Sequence, residues 1–384
     1  MEMKIKPLEG LKVLDLSRLL PGPYCSMILA DFGAEVLRIE DRRFEEEGTG
    51  MNTVMRNKRH MTLNLKHPKG KEIFYTLAKD ADVLLEGFRP GVAERLGIGY
   101  PQLKQRNPRL IYCSLTGYGQ DGPYSGMVGH DINYLSFAGV LGLTGRLDGP
   151  PVIPATQIAD IAAGGMNAAI GILLAVIMRE RTGKGQYIDI SMMDGSVAML
   201  PFMANLYWEG GTVPGRGNTM LTGRYPCYSV YETKNGQYIS LGALERRFWV
   251  ALCKKLGRED FIPYQFAEGE KREEIFYFLR KTFSQKTRPE WMEELKELDI
   301  CFGKILDLPE VFQDPQVRHR GLIAEYVHPT KGKINFLAPA VKMSEVSWEV
   351  RVPPASFGEH TEGVLKKLGY GEGEIEDLKR EGVI

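Results

Sequence analysis

The chain has 384 residues, with 49 Lys and Arg balanced by 49 Asp and Glu, so net charge does not recruit nucleic acid or an anionic membrane surface. Any bound anion must be held by a local cluster of cations. The length exceeds what one hydrophobic core usually organises, which points to two domains rather than a small module. Five cysteines, Cys25, Cys113, Cys227, Cys253 and Cys301, are scattered with no Cys-x-x-Cys pair and read as free, buried thiols in a reducing compartment. MEMKIKPLEG lacks the apolar core of a signal peptide, and the expected location is the cytoplasm.

Along the chain, LKVLDLS reads as a buried strand, LLPGPY as a turn, CSMILADFGA as a helix closed by Gly33, and EVLRIE as a second strand. HMTLNLK, KGKEIFYTLAKDA, DVLLEGF, PGVAERLG and LIYCSLTGYG continue the alternation. The fold class is therefore α/β, with a Rossmann-like parallel sheet covered by helices on both faces. The segment 158–178, IADIAAGGMNAAIGILLAVIM, approaches the length of a membrane span. Asp160, Asn167 and three glycines interrupt it, so a core helix is expected. QYIDISMMDG then leads into an apolar helical stretch through Tyr207. Its Met192, Met193, Met199, Phe202, Met203 and Tyr207 read first as core at this spacing, with an adaptable acyl pocket as the alternative.

WEGGTVPGRGNTMLTGRYP marks a linker at 208–224. The large domain thus occupies 1–207. A smaller α+β domain spans 225–325, opening with a hairpin at Lys234-Asn235-Gly236, and 326–384 returns to complete the large domain.

Several stretches carry chemistry. Gly117 to Gly122 form a literal G-x-G-x-x-G after a strand, but Pro123 and Gly126 prevent the helix that a dinucleotide site needs. There is no phosphate-loop or metal-type spacing. Arg38 ends the second strand. Arg56, Lys58 and Arg59 precede the third, and Arg89 follows the fourth. Each cluster alone could be a solvated positive loop. Together they fall at the carboxyl-end loops or adjoining turns of the sheet, where such folds bind ligands, and they suit a multiply phosphorylated nucleotide. In GHDINYLSFAG, His130 could cap a helix, or Asp131 could cap it and leave the imidazole to face a cleft. Asp160, at the start of the long apolar helix, suits either an N-cap or a catalytic carboxylate. Glu245 in GALERRFW reads as an ordinary first-turn carboxylate.

These segments resemble the class III (family III) CoA-transferase superfamily over nearly the whole chain. The likeness runs through LKVLDLSRLLPGPYCSMILADFGAEVLRIE, RNKRHMTLNLKHPKG, FRPGVAERLGIGY, LIYCSLTGYGQDGPY, GHDINY, ERTGKGQYIDISMMDG, GALERRFW, CFGKILDLPEVFQDPQVRHRG and FGEHTEGVLKKLGY. The resemblance implies an interlocked-ring homodimer whose active site both chains complete. It implies CoA contacts at Arg38, Lys58, Arg59 and Arg89, with CoA bound as part of the substrate and no separate cofactor.

The superfamily divides at the chemistry. In transferase members the aspartate matching Asp160 attacks the acyl-CoA thioester, while the α-methylacyl-CoA racemase branch has the histidine of GHDINY and the glutamate of GALE as well. With His130, Asp160 and Glu245 all present, the pattern favours inversion of the α-carbon of a 2-methylacyl-CoA by two bases. His130 would serve one face and Asp160 the other, with Glu245 holding the imidazole. Donors at a helix start and the glycines after Asp160 would accommodate the enolate. The acyl group itself is not specified.

Overall fold

The structure is a computed structural model that describes residues 6–47, 52–328 and 332–384. The chain divides into two compact units, one of 1–140, 154–200 and 316–384, the other of 141–153 and 201–315.

The first unit is built on six strands, β1 (Lys12–Asp15), β2 (Glu35–Glu40), β3 (Lys58–Thr62), β4 (Val83–Glu86), β5 (Ile111–Thr116) and β6 (Tyr187–Ser191). Their order is β3-β2-β1-β4-β5-β6 and every pairing is parallel. The inner strands β1, β4 and β5 are short and nearly all buried, as a parallel sheet covered on both faces requires. The helices between them are α1 (Pro21–Asp31), α2 (Pro68–Lys79), α3 (Val92–Leu96) and α4 (Tyr100–Arg106). Pro21 opens α1 at a position where a missing N–H costs nothing. Gly22 is required beside it, because a Cβ there would lie 2.0 Å from Ser17 Oγ.

After β5 come α5 (Asp131–Phe137) and the short α6 (Val140–Leu143), where the chain leaves the first unit. It re-enters before a π-helical turn, Ala159–Met166, that runs straight into α7 (Asn167–Thr182). Beyond β6 are α8 (Met192–Val197) and α9 (Pro201–Trp208). One face of the sheet packs Leu14, Leu37, Met61, Leu84 and Tyr112 against α2, α4 and the chain's end, while α1 and α7 lie together on the other side.

The π turn and α7 form the one helix among the described residues that is long and apolar enough to cross a membrane. Ala168, Ala169, Ile172 and Ala175 are buried, as a core helix requires, but Met166, Ile170, Leu174, Ile177 and Met178 on other sides are exposed. The core reading also fails for most of the following stretch: Met192 is buried, yet α9 buries no residue and Met199 is exposed. Four cysteines are buried, but Cys301 is exposed.

The second unit contains the antiparallel sheet β7 (Tyr228–Glu232), β8 (Tyr238–Gly242) and β9 (Phe302–Lys304). Around it are α10 (Arg246–Lys255), α11 (Gly269–Phe283), α12 (Arg288–Leu295) and α13 (Leu308–Gln313). Its core is aromatic, and both buried indoles are satisfied: Trp249 donates to Phe261 O at 3.1 Å and Trp291 to Phe283 O at 2.8 Å.

The chain then passes α14 (Pro315–His319) and the hairpin β10 (Ile323–His328) and β11 (Gly332–Leu337), ending in α15 (Thr361–Lys367) and α16 (Glu372–Arg380). The tail is fastened to β3 by a histidine of defined tautomer. His60 Nδ1 accepts from Gly358 N at 2.7 Å, so its Nε2–H donates to Glu40 at 3.0 Å.

Candidate active site

His130 stands at the head of α5 with extended backbone, φ −125° and ψ 177°. The capping is done without its ring. Its carbonyl accepts from Asn133 N at 2.8 Å, and its own N–H donates to Asn133 Oδ1 at 3.0 Å. The imidazole is exposed and makes no hydrogen bond among the described residues, so it remains available for chemistry. Tyr134 holds the preceding residue, its hydroxyl donating to Gly129 O at 2.5 Å. Gly117 is what lets that ring in, since a Cβ there would come within 2.2 Å of it.

Asp160 is the second residue of the π turn, and Ile158 occupies the cap position. Such wide turns recur at functional sites because they displace a side chain from the regular helical array. The amide of Asp160 donates to Asp131 Oδ2 at 3.0 Å, and that of Ile161 to Gln157 O at 2.9 Å. Both donors are therefore consumed, and neither is free for an enolate as the sequence suggested. Burial pushes the Asp160 carboxyl up to about 6, with the Asp131 charge adding to the rise and His130 opposing it. The glycines that follow serve packing. A Cβ on Gly164 would lie 2.9 Å from Met192 Cγ, and one on Gly165 would lie 2.8 Å from Pro21 O.

At the carboxyl end of the sheet the order reverses between β1 and β4, the place where open α/β sheets receive ligands. The loops after these strands run side by side, Gly87 adjoining Ser17. Arg89 is exposed on the second of them. On the first, Leu19 is exposed with φ 63°, a strained conformation for a branched residue that the sequence did not announce. Arg38 is partly buried and pairs with Glu40 at 2.7 Å, while Arg59 faces Glu35 at 4.0 Å.

Lys58 lies elsewhere. It is buried, donates to Pro23 O at 2.6 Å and sits 3.9 Å from Asp15, with burial lowering its ammonium to about 7 against the pull of that carboxylate. Its charge is engaged inside the fold rather than presented to a phosphate. Arg56 is likewise internal, making a two-bond pair with Asp31 at 3.0 and 2.6 Å.

The structure thus brings His130, Asp131, Tyr134 and Asp160 together in the first unit. Glu245 belongs to the second, where it caps α10 through its backbone and keeps its exposed carboxylate out of the cap. Asp131 and Tyr134 were hidden as site residues because their spacing within GHDINY is that of any short helix.

The family profile of CoA-transferase family III matches residues 8–361. The chain is 37% identical to the α-methylacyl-CoA racemase of Homo sapiens, covering 98% of this chain and 97% of that one. It is 36% identical to the succinyl-CoA:glutarate CoA-transferase of Mus musculus, over 99% and 91%. Among solved structures, a CaiB/BaiF family protein from Brucella suis superposes with a TM-score of 0.83 at 28% identity, covering 94% of this chain and 99% of that one.

Proposed function

We propose that this chain, which belongs to CoA-transferase family III, is a racemase or epimerase that inverts the α-carbon of 2-methylacyl-CoA thioesters. The observation that carries the reading is an unengaged imidazole, His130, on a helix start whose Asp131 accepts the backbone N–H of Asp160, a residue with its carboxyl raised to about 6. One base removes the α-proton and the thioester becomes an enolate. The other group then delivers a proton to the opposite face, so each turnover moves one proton from one group to the other. A carboxyl raised to about 6 can both take up and release a proton near neutral pH, as the return direction of an inversion requires. Asp131 N and Ile132 N, in the first turn of α5, have no partner among the described residues and could donate to an enolate oxygen held beside His130.

In this reading CoA is bound as part of the substrate, with Arg38, Arg59 and Arg89 at its phosphates and Lys58 supporting the sheet from within. Glu245 holds His130 in its reactive tautomer, in a site completed by both chains of an interlocked homodimer.

The test is substitution. His130→Ala and Asp160→Asn should each lower the epimerisation rate on the order of 10² to 10⁴-fold. Wild-type rates in both would overturn the two-base assignment. A second reading has its own support, because CoA-transferase relatives are as similar as racemases. There Asp160 attacks the thioester carbonyl and displaces CoA as thiolate, giving a mixed anhydride; the thiolate then attacks the Asp160 carbonyl, forming an enzyme–CoA thioester and releasing the acyl group as its free carboxylate. That reading predicts CoA exchange between acids that survives His130→Ala.

A further inference from the structure

Asp131 is the residue next to His130 and begins α5, yet its side chain takes no part in capping that helix. The cap is closed by Asn133 and the His130 backbone. Asp131 Oδ2 instead reaches across the chain and accepts the backbone N–H of Asp160 at 3.0 Å. We propose that Asp131 is a positioning residue whose side chain ties the turn bearing Asp160 to the helix start bearing His130, fixing the separation of the two proton-transfer groups. This use of the tie rests on the two-base reading, whereas the hydrogen bond itself does not.

The physical argument has two parts. A π turn is a wide departure from the regular helix, and a charge-assisted bond to its second residue restrains the backbone from which the reacting carboxyl projects. The same carboxylate also places a like charge against Asp160. His130 acts on the Asp160 carboxyl and Asp160 on Tyr134, which Tyr118 and Arg89 also face, while α1, α8 and β6, packed against the turn, carry Tyr24, Asp194 and Asp189. Asp194 is engaged by Ser191 Oγ at 2.9 Å and Asp189 by Gln120 N at 3.0 Å, while Asp131 bonds directly to the residue at issue.

Two variants of the full chain separate these parts. Asp131→Asn keeps an acceptor for the amide and removes the charge, and Asp131→Ala removes both. Three quantities are read: hydrogen exchange at the Asp160 amide, the titration of its carboxyl by ¹³C NMR assigned with Asp160→Asn, and kcat and KM for epimerisation. Asp131→Ala should lose amide protection by roughly tenfold or more and lower kcat by about 10 to 100-fold, with KM changed little. Asp131→Asn should keep the protection and restore most of kcat. Because a like charge has been removed, its Asp160 titration and the acid limb of kcat/KM should move down on the order of one pH unit.

Unchanged protection in Asp131→Ala together with an unchanged Asp160 titration in Asp131→Asn would overturn the proposal. A wild-type protein that epimerises nothing, but whose Asp160 responds as described, would remove the two-base reading and leave the tie standing.

Discussion

The Asp160 carboxyl has an ordinary value of 3.8 and stands at about 6 here, first because burial disfavours its charge and then because Asp131 faces it. A folded-state value above the unfolded one means that ionisation is harder in the native protein. Stability on this account is greatest below the unfolded value and declines as pH rises from there through about 6. Asp160→Asn should therefore stabilise the protein at pH 8 by on the order of 1–2 kcal/mol after allowance for partial exposure, read as a higher melting temperature, and should lose that advantage near pH 3. A calorimetric pH series checks it, and an equal melting temperature at both pH values would contradict it. The two polar residues of greatest interest, His130 and Asp160, were visible in the sequence as candidates. Which of their atoms were free was not visible, because that depended on Asn133 and Asp131 taking up the backbone groups. Lys58 was read as a CoA contact and is instead buried, for a related reason: a strand covered on both faces buries what it carries, and the sequence does not say which way the strand turns its lysine.

At the scale of elements, the alternation of short apolar runs with amphipathic ones gives β1 to β5 with α1, α2 and α3 between them, since period and length are written locally. The π turn is not written this way. It inserts extra backbone into a helix without any compositional mark, and only packing against α1 and α8 reveals why three glycines, Gly164, Gly165 and Gly195, cluster there. Helix α16 escaped reading because only Ile375 and Leu378 of its nine residues are buried, too few to set a period. Helix α7 leaves Ile170, Leu174 and Ile177 exposed, an apolar surface that a second copy would cover in the proposed homodimer. Leu174→Glu should then shift the protein from dimer toward monomer in sedimentation velocity. A wild-type monomer, or a variant that dimerises as well as wild type, would contradict that role for the face.

For the whole molecule, the strand order reverses between β1 and β4, where open α/β sheets receive ligands, and Arg89 and the strained Leu19 both stand on the loops that follow these strands. The sequence showed the parallel sheet but not its order, because register and adjacency arise from contacts between distant segments. It likewise gave no sign that 141–153 joins the second unit, since that stretch looks like any glycine-bearing loop. What the molecule as a whole is proposed to do reduces to one question, whether the α-proton of the substrate is exchanged. Proton NMR of the protein with one enantiomer of a short 2-methylacyl-CoA in D₂O, with and without a free carboxylic acid, answers it. The account predicts loss of the α-proton signal together with epimerisation, at the same rate in the presence or absence of the acid. An intact α-proton, with CoA passing to the added acid, would contradict it and make Asp160 the nucleophile of a transferase.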